Sequence, residues 1–399
     1  MSANARVSKA VEPGPVRSSD NFLVFGSPLI EEAEVQEVVD SLRSGWLGTG
    51  PKVARFEQAF QEYNGARYAV ALNSCTAALH LSLLALGLEP GQEVITTPMT
   101  FCATVNAIIH AGAEPVLVDV DSKSSNLAPE AVEAAITSRT RALLPVHFAG
   151  QPCEMEALSA LANKHGLVMV EDCAHAIEAE YKGRKMGRWG RVGCFSFYVT
   201  KNIVTGEGGM VVTDDEEVAS RIKMLSLHGM TKDAWHRFGD EGYKHYFVME
   251  AGYKYNMMDL QAAIGLHQLG RIDRYWQRRR EIWARYQNEL AELPLDLPLE
   301  PPAHIKHSYH LYTVLVKPEA GLSRDQVLDG LTAQNIGTGV HYLSVPEHPF
   351  YQKRFGWKAE DFPVAMDIGR RTLSLPLSAK LSDSDVSDVI QAIKRVLRV

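Results

Sequence analysis

Between Phe22 and about Gly270 the chain alternates short β-rich runs with longer stretches of helical length. Seven runs read as buried strands: Tyr68–Leu72, Glu93–Thr96, Pro115–Val120, Ala142–Val146, Leu167–Glu171, Gly193–Tyr198 and Met210–Thr213. Helix-length stretches such as Cys75–Leu86 and Met155–Lys164 separate most of them. A strand covered on both faces loses the apolar–polar alternation of a surface strand, and strands interleaved with helices pair in parallel. The expectation is an α/β domain, a mostly parallel seven-stranded sheet with helices on both faces.

The pattern changes near Gly270. Arg271–Leu293 is a long charged helix pattern with apolar positions at Ile272, Trp276, Ile282, Trp283 and Tyr286, and prolines at 294, 298, 301 and 302 then interrupt the chain. A smaller strand–helix set follows: Tyr309–Val316, Arg324–Ala333, Ile336–Tyr342 and a last helix from about Ser384 to Leu397. The predicted division is a loose tail over 1–21, a large domain over 22–270, and a linking helix with a small α+β domain over 271–399.

Composition narrows the class. Lys and Arg total 41 against 48 Asp and Glu, a formal charge of −7, without the basic excess of a nucleic-acid binder. The five cysteines, at 75, 102, 153, 173 and 194, include no CxxC pair, and an odd number in a long chain suits a reducing cytoplasm better than a disulfide framework. No apolar run is long enough to span a membrane.

In open α/β sheets ligands bind beyond the carboxyl ends of the strands, so the polar residues just past each run carry the functional reading. Asn73-Ser74-Cys75-Thr76-Ala77 opens a helix with small and hydroxyl residues, which suits an anion at the helix N-terminus and equally an ordinary cap. Phe101 follows the second run and is either a lid over a flat ligand or a core ring. Asp172 and His175 follow the fifth; a carboxylate there can meet a cationic ring nitrogen or serve as a structural ion pair. After Ser196 and Tyr198 comes Lys201, between an apolar strand and a glycine-rich turn at Gly206–Gly209. Apolar surroundings lower a lysine's pKa and make its amine a usable nucleophile for a carbonyl.

These groups, together and in this order, resemble the DegT/DnrJ/EryC1/StrS sugar aminotransferases, which are pyridoxal phosphate (PLP) enzymes of fold type I. The resemblance runs from about Phe25 to the end. It is carried by SGWLGTGPKV at Ser44–Val53, NSCTAALH at Asn73–His80, EDCAHA at Glu171–Ala176, FSFYVTKNIVTGEGG at Phe195–Gly209 and GYKYNMMDLQAAIGLHQL at Gly252–Leu269. It implies catalytic roles for Lys201, as the covalent attachment point of PLP, and for Asp172, as the partner of the pyridine nitrogen. It places Thr76, Ala77 and Ser196 at the phosphate, Phe101 on the ring face and His175 near the ring hydroxyl. Asn256 would reach the phosphate from the second subunit of a homodimer. Tyr198 departs from the His that many members carry there. The implied substrates are L-glutamate and a keto sugar nucleotide, with C4 the favoured position, and the candidate substrate contacts are Trp46, Tyr198, His228, His341 and Tyr342.

Other readings fit less well. A dinucleotide-binding dehydrogenase lacks its GxGxxG, since Gly206–Gly209 precedes a strand. His304, His307 and His310 have no Cys or carboxylate at ligand spacing, so no metal site is expected. PLP-dependent sugar dehydratases of the same family carry histidine where this chain has Lys201. A non-catalytic regulatory member would not need the Lys201, Asp172 and Asn256 set.

Overall fold

The computed structural model describes residues 14–231 and 245–398. The strands are β1 (Tyr68–Leu72), β2 (Glu93–Thr96), β3 (Glu114–Leu117), β4 (Thr140–Leu143), β5 (Val168–Asp172), β6 (Glu180–Tyr181), β7 (Arg184–Lys185), β8 (Val192–Ser196), β9 (Gly209–Thr213), β10 (Leu295–Asp296), β11 (Ile305–Lys306), β12 (Tyr312–Val316) and β13 (Thr372–Leu375). Seven of them form one sheet in the order β1-β9-β8-β5-β4-β2-β3. β3, β2, β4, β5 and β8 pair in parallel, and β9 runs antiparallel to both β8 and β1. The expected mostly parallel seven-stranded sheet is therefore present.

Each expected run matches a strand, yet β3 and β4 end three residues before the apolar runs do. Val118, Val120, Leu144 and Val146 are still buried, while the ladder has already ended. Apolarity follows burial, whereas strand assignment follows hydrogen bonding. Alternate residues feed two cores, one on each face. Met169, Phe195, Met210 and Val212 face one; Val170, Cys194 and Val211 face the other. Phe195 and Phe197 are fully buried with Phe56 and Phe60, and burial of such a ring contributes about 1.5–3 kcal/mol.

The expected linking helix forms as Ile272–Glu289. Beyond it, β10, β12 and β13 make an antiparallel three-stranded sheet. Helices Arg324–Ala333 and Asp383–Val396 share its apolar core, which includes Tyr312, Val327, Leu331, Leu373, Val389 and Ile393. Ser382 caps the last helix, its Oγ accepting from the Asp385 amide at 3.1 Å. The run Ile336–Tyr342 is not a strand. Its strand-like pairing is confined to the isolated bridges Leu23↔Ile336 and Gly339↔Ser374, and a Cβ at Gly337 would lie 2.7 Å from the Leu23 carbonyl oxygen. The third strand is instead Thr372–Leu375, four residues that the periodicity did not mark.

The tail expectation does not hold for Arg17 to Asn21. Arg17 is buried and pairs with Asp385 and Asp388 of the last helix at 2.7 and 2.8 Å, and the Leu23 amide bonds the Asn335 carbonyl. Among the described residues no helix is long and apolar enough to cross a membrane.

Candidate active site

The carboxyl ends of β5 and β8 lie side by side, since Asp172 pairs with Cys194 in the parallel ladder. Successive residues of a strand face opposite ways. Glu171 therefore turns into a closed knot, accepting from the amides of Gly187, Trp189 and Gly190 at 2.8, 2.7 and 2.6 Å, with His147 Nε2 at 3.2 Å. Asp172 turns the other way. Its Oδ1 accepts from the Ala174 amide at 3.1 Å and its Oδ2 from the Thr104 hydroxyl at 2.8 Å. Burial pushes the Asp172 carboxyl above its ordinary value, and those two bonds and the Lys201 charge pull it back.

Lys201 follows β8 in a turn closed by its own amide on the Tyr198 carbonyl at 2.8 Å. Burial lowers its pKa to about 8, against the opposing pull of Cys75 and Asp172. Asn202, the next residue, is fixed from two sides. Its Nδ2 donates to Glu178 Oε2 at 2.7 Å and to the Ser308 carbonyl at 3.0 Å, and its Oδ1 accepts from His310 Nδ1 at 2.8 Å. Glu178 is fully buried and forms an ion pair with buried Arg279 of the linking helix.

His175 joins the same cluster. The Ala149 amide donates to its Nδ1 at 3.3 Å, and its Nε2 meets the Tyr342 hydroxyl at 3.0 Å. Its ring lies 4.4 Å from that of His310. Burial, then the Lys201 charge, pushes His175 well below its usual pKa. The same two causes bring His341 down to about 3. Burial and Asp172 push the Tyr342 phenol up.

At the start of the helix Cys75–Ala85, Ser74 Oγ takes the Ala77 amide at 3.1 Å. The Cys75 and Thr76 amides have no acceptor among the described residues, which leaves them for an anion, whereas Ala77 is already engaged. The chain passes very close behind them. A Cβ on Gly209 would sit 2.4 Å from the Ser74 carbonyl carbon and 2.6 Å from the Cys75 nitrogen, so β9 can back this turn only with glycine there. Phe101, 59 % exposed, precedes the helix Cys102–His110 with its ring 6.0 Å from that of Tyr342.

The structure thus gathers Lys201, Asp172, His175, His341 and Tyr342 at one end of the sheet, with Ser196 ending β8. It does not bring Trp46, His228 or Asn256 into contact with them. Trp46 packs over Gly50, and the His228 amide bonds the Tyr253 carbonyl at 2.7 Å. Asn256 bridges Leu72 and donates to Thr49 Oγ1 at 2.7 Å. Tyr198 is 44 % exposed. Sequence reasoning missed Thr104, Asn202 and His310. The only sequence signals were the four-residue spacing of Thr100 and Thr104 and the adjacency of Asn202 to Lys201.

A family model for the DegT/DnrJ/EryC1/StrS aminotransferases matches residues 28–394. The chain belongs to that family. The spore coat polysaccharide biosynthesis protein SpsC of Bacillus subtilis is 50 % identical over 387 residues, 96 % of this chain and 99 % of SpsC. A Streptococcus pneumoniae protein assigned as a sugar aminotransferase, solved in its PLP form, aligns with a TM-score of 0.88 at 34 % identity, over 95 % of this chain and 99 % of its own. The crystal structure of DesI, solved in the presence of its TDP-sugar product, aligns with a TM-score of 0.84 at 32 % identity, over 96 % of this chain and 94 % of its own. This family member is a PLP-dependent aminotransferase of fold type I. The residues present fit PLP. The free Cys75 and Thr76 amides suit its phosphate, the Asp172 carboxylate its ring nitrogen and the Lys201 amine its aldehyde.

Proposed function

We propose that this enzyme moves the amino group of L-glutamate to the keto carbon of a nucleoside-diphosphate-linked 4-keto sugar. The product would be an amino sugar nucleotide for surface-polysaccharide, glycan or antibiotic-sugar synthesis. The observation that carries the reading is the buried Lys201 amine, with its pKa of about 8, beside the Asp172 carboxylate on the neighbouring strand end. SpsC's polysaccharide pathway and DesI's TDP-sugar product support the substrate class.

PLP, when bound, supplies an aldehyde and an electron-withdrawing ring that stabilises the electron pair left when a proton leaves the carbon beside the transferred nitrogen. Asp172 favours the charged form of the ring nitrogen, as an opposite charge does generally. Lys201 first holds the cofactor covalently. Its freed amine would take the proton from the substrate carbon and deliver it to the carbon on the other side of the transferred nitrogen. Thr76 and Ser196, with the free Cys75 amide, would orient the phosphate end, while Ala77, whose amide Ser74 Oγ takes, would shape the turn; Phe101 would cover the ring and His175 steady the ring hydroxyl. Tyr198, His341, Tyr342, Trp46 and His228 are the substrate-side candidates. Glutamate and keto sugar use this one site in turn, which gives ping-pong kinetics.

The reading includes a homodimer in which Asn256 completes the partner's phosphate site. Exposed Leu42, Trp46, Leu47, Phe247, Val248, Met249 and Met258 supply apolar surface for it. Five free cysteines agree with a cytoplasmic location. The test is optical and chemical. The purified protein should absorb in the visible, bleach with L-glutamate, and recover colour with a 4-keto sugar nucleotide as the amino sugar forms by mass spectrometry and NMR. Colour that no amino donor bleaches would overturn the aminotransferase assignment of this site.

A further inference from the structure

Asp172 is held by a chain of hydroxyls that the reaction itself does not require. Thr104 stands in the first turn of the helix Cys102–His110 and places its Oγ1 2.8 Å from Asp172 Oδ2. Thr100, one turn earlier, places its Oγ1 2.7 Å from that of Thr104. Both threonines are buried, at 1 % and 3 % exposure, so water cannot stand in for either bond. An ionised carboxylate only accepts, and a threonine has a single hydroxyl proton. The Thr104 proton is therefore committed to Asp172, and Thr104 must receive its second bond from Thr100. The direction is fixed along the whole chain: Thr100 to Thr104 to Asp172. The Ala174 amide occupies the other carboxylate oxygen at 3.1 Å. Both oxygens are thus anchored by neutral donors, and each keeps a lone pair for a further partner.

We propose that Thr104, backed by Thr100, is a positioning residue that keeps the Asp172 carboxylate ionised and aimed at the cofactor ring nitrogen. This rests on the assignment of Asp172 to that nitrogen. Burial opposes the charge, and Lys201 cannot be a constant counter-charge because its amine is the group that this reading bonds to the cofactor and releases again. His147 favours the charge from a distance but bonds Glu171, so the groups in contact with the carboxylate oxygens are the fixed neutral donors Thr104 and Ala174. The threonines flank Phe101, so one short segment sets both the carboxylate and the aromatic face expected to cover the ring.

The experiment compares holoenzymes carrying Thr104→Val, Thr104→Ser, Thr100→Val and Asp172→Asn. Three quantities are read: the visible spectrum across pH, the affinity for PLP, and kcat against the KM for the amino donor. Val keeps the shape of Thr and lacks the hydroxyl. A hydrogen bond to a charged group lost without replacement corresponds to a roughly ten- to hundredfold effect. Thr104→Val should weaken PLP binding and lower kcat by that factor, leave the donor KM within about threefold, and shift the spectrum toward the form with an unprotonated ring. Thr104→Ser should stay within about threefold of the parent, and Thr100→Val should move the same readouts in the same direction by less. If Thr104→Val does not fold, Thr100→Val carries the test, and parental PLP affinity and spectrum in it overturn the proposal. Serine as harmful as valine makes the methyl, and not the hydroxyl, the cause and also overturns it. An inactive Asp172→Asn beside a parental Thr104→Val defeats the threonine chain alone. A fully active Asp172→Asn defeats the assignment beneath it.

Discussion

Arg279→Met should destabilise the protein far more than the double variant Glu178→Gln, Arg279→Met. Glu178 is 0 % and Arg279 2 % exposed, and the two form an ion pair on the linking helix's inner side. Arg279 Nε also donates to the Tyr309 carbonyl at 3.1 Å. With Met at 279, the Glu178 carboxylate keeps the Asn202 amide and the Ser308 hydroxyl and has lost its counter-charge. Breaking a buried pair on one side costs about 3–5 kcal/mol, because the surviving charge stays in a low-dielectric interior. Removing both charges leaves a neutral Gln that can still accept from Asn202 and Ser308, and such replacements cost about 0–2 kcal/mol. Thermal melts and urea midpoints of the holoenzymes, taken side by side, read the ordering. The expected order is parent, then double variant, then Arg279→Met well below both. A double variant as unstable as the single would mean that packing of the arginine stem, not its charge, holds the two cores together. Because Glu178 anchors Asn202, the single variant should also lose PLP more readily.

Three further outcomes follow from the same geometry. Asp172→Asn should lower kcat at least about a hundredfold, the scale of losing one preorganised charge contact, with the fold unchanged by circular dichroism; near-normal turnover rejects its role. The Lys201 amine, with its pKa lowered to about 8, becomes neutral as pH rises through that value, so an amine-directed reagent on cofactor-free protein should modify it with a midpoint near pH 8 by peptide mass spectrometry. A midpoint at the ordinary lysine value would contradict the burial argument; by the same sign, cofactor-free protein should gain stability from pH 8 upward, where the unfolded chain holds a proton that the folded chain has released. Gly209→Ala should displace the Ser74–Cys75 turn and weaken PLP binding about tenfold or more, since its Cβ would meet fixed backbone at 2.4 Å.

The large sheet was legible because its strands are covered on both faces, which makes each one a compact apolar run with its functional residue just past the end. Lys201 and Asp172 could be named for that reason. Glu178 and Arg279 could not. Arg279 lies within the Arg278–Glu281 charged stretch of a helix whose sequence looks solvent-facing, and its partner is 101 residues away. His310 looked like one of three packed histidines, and only the tertiary path of the chain lays it against Asn202 and His175. Ile336–Tyr342 misled in the opposite way, since apolar residues separated by glycines serve there as a close-packed connection and not a strand.

The histidines around Lys201 are useful because they stay neutral. His175 accepts a backbone amide on Nδ1, so its proton lies on Nε2 and is donated to the Tyr342 oxygen; the phenolic proton of Tyr342 is then free to point elsewhere. His310 has the opposite tautomer. Asn202 turns its oxygen toward Nδ1 because its nitrogen is committed to Glu178, which puts the His310 proton on Nδ1 and leaves Nε2 bare. Two rings 4.4 Å apart therefore differ in which nitrogen is a donor, and neither carries charge. A protonated imidazole there would compete with the ring nitrogen for Asp172 and hold off a cationic amine. Burial prevents it, and the same burial lowers Lys201 and raises Asp172. The one desolvated pocket thus sets the state of the lysine, the carboxylate and the histidines together.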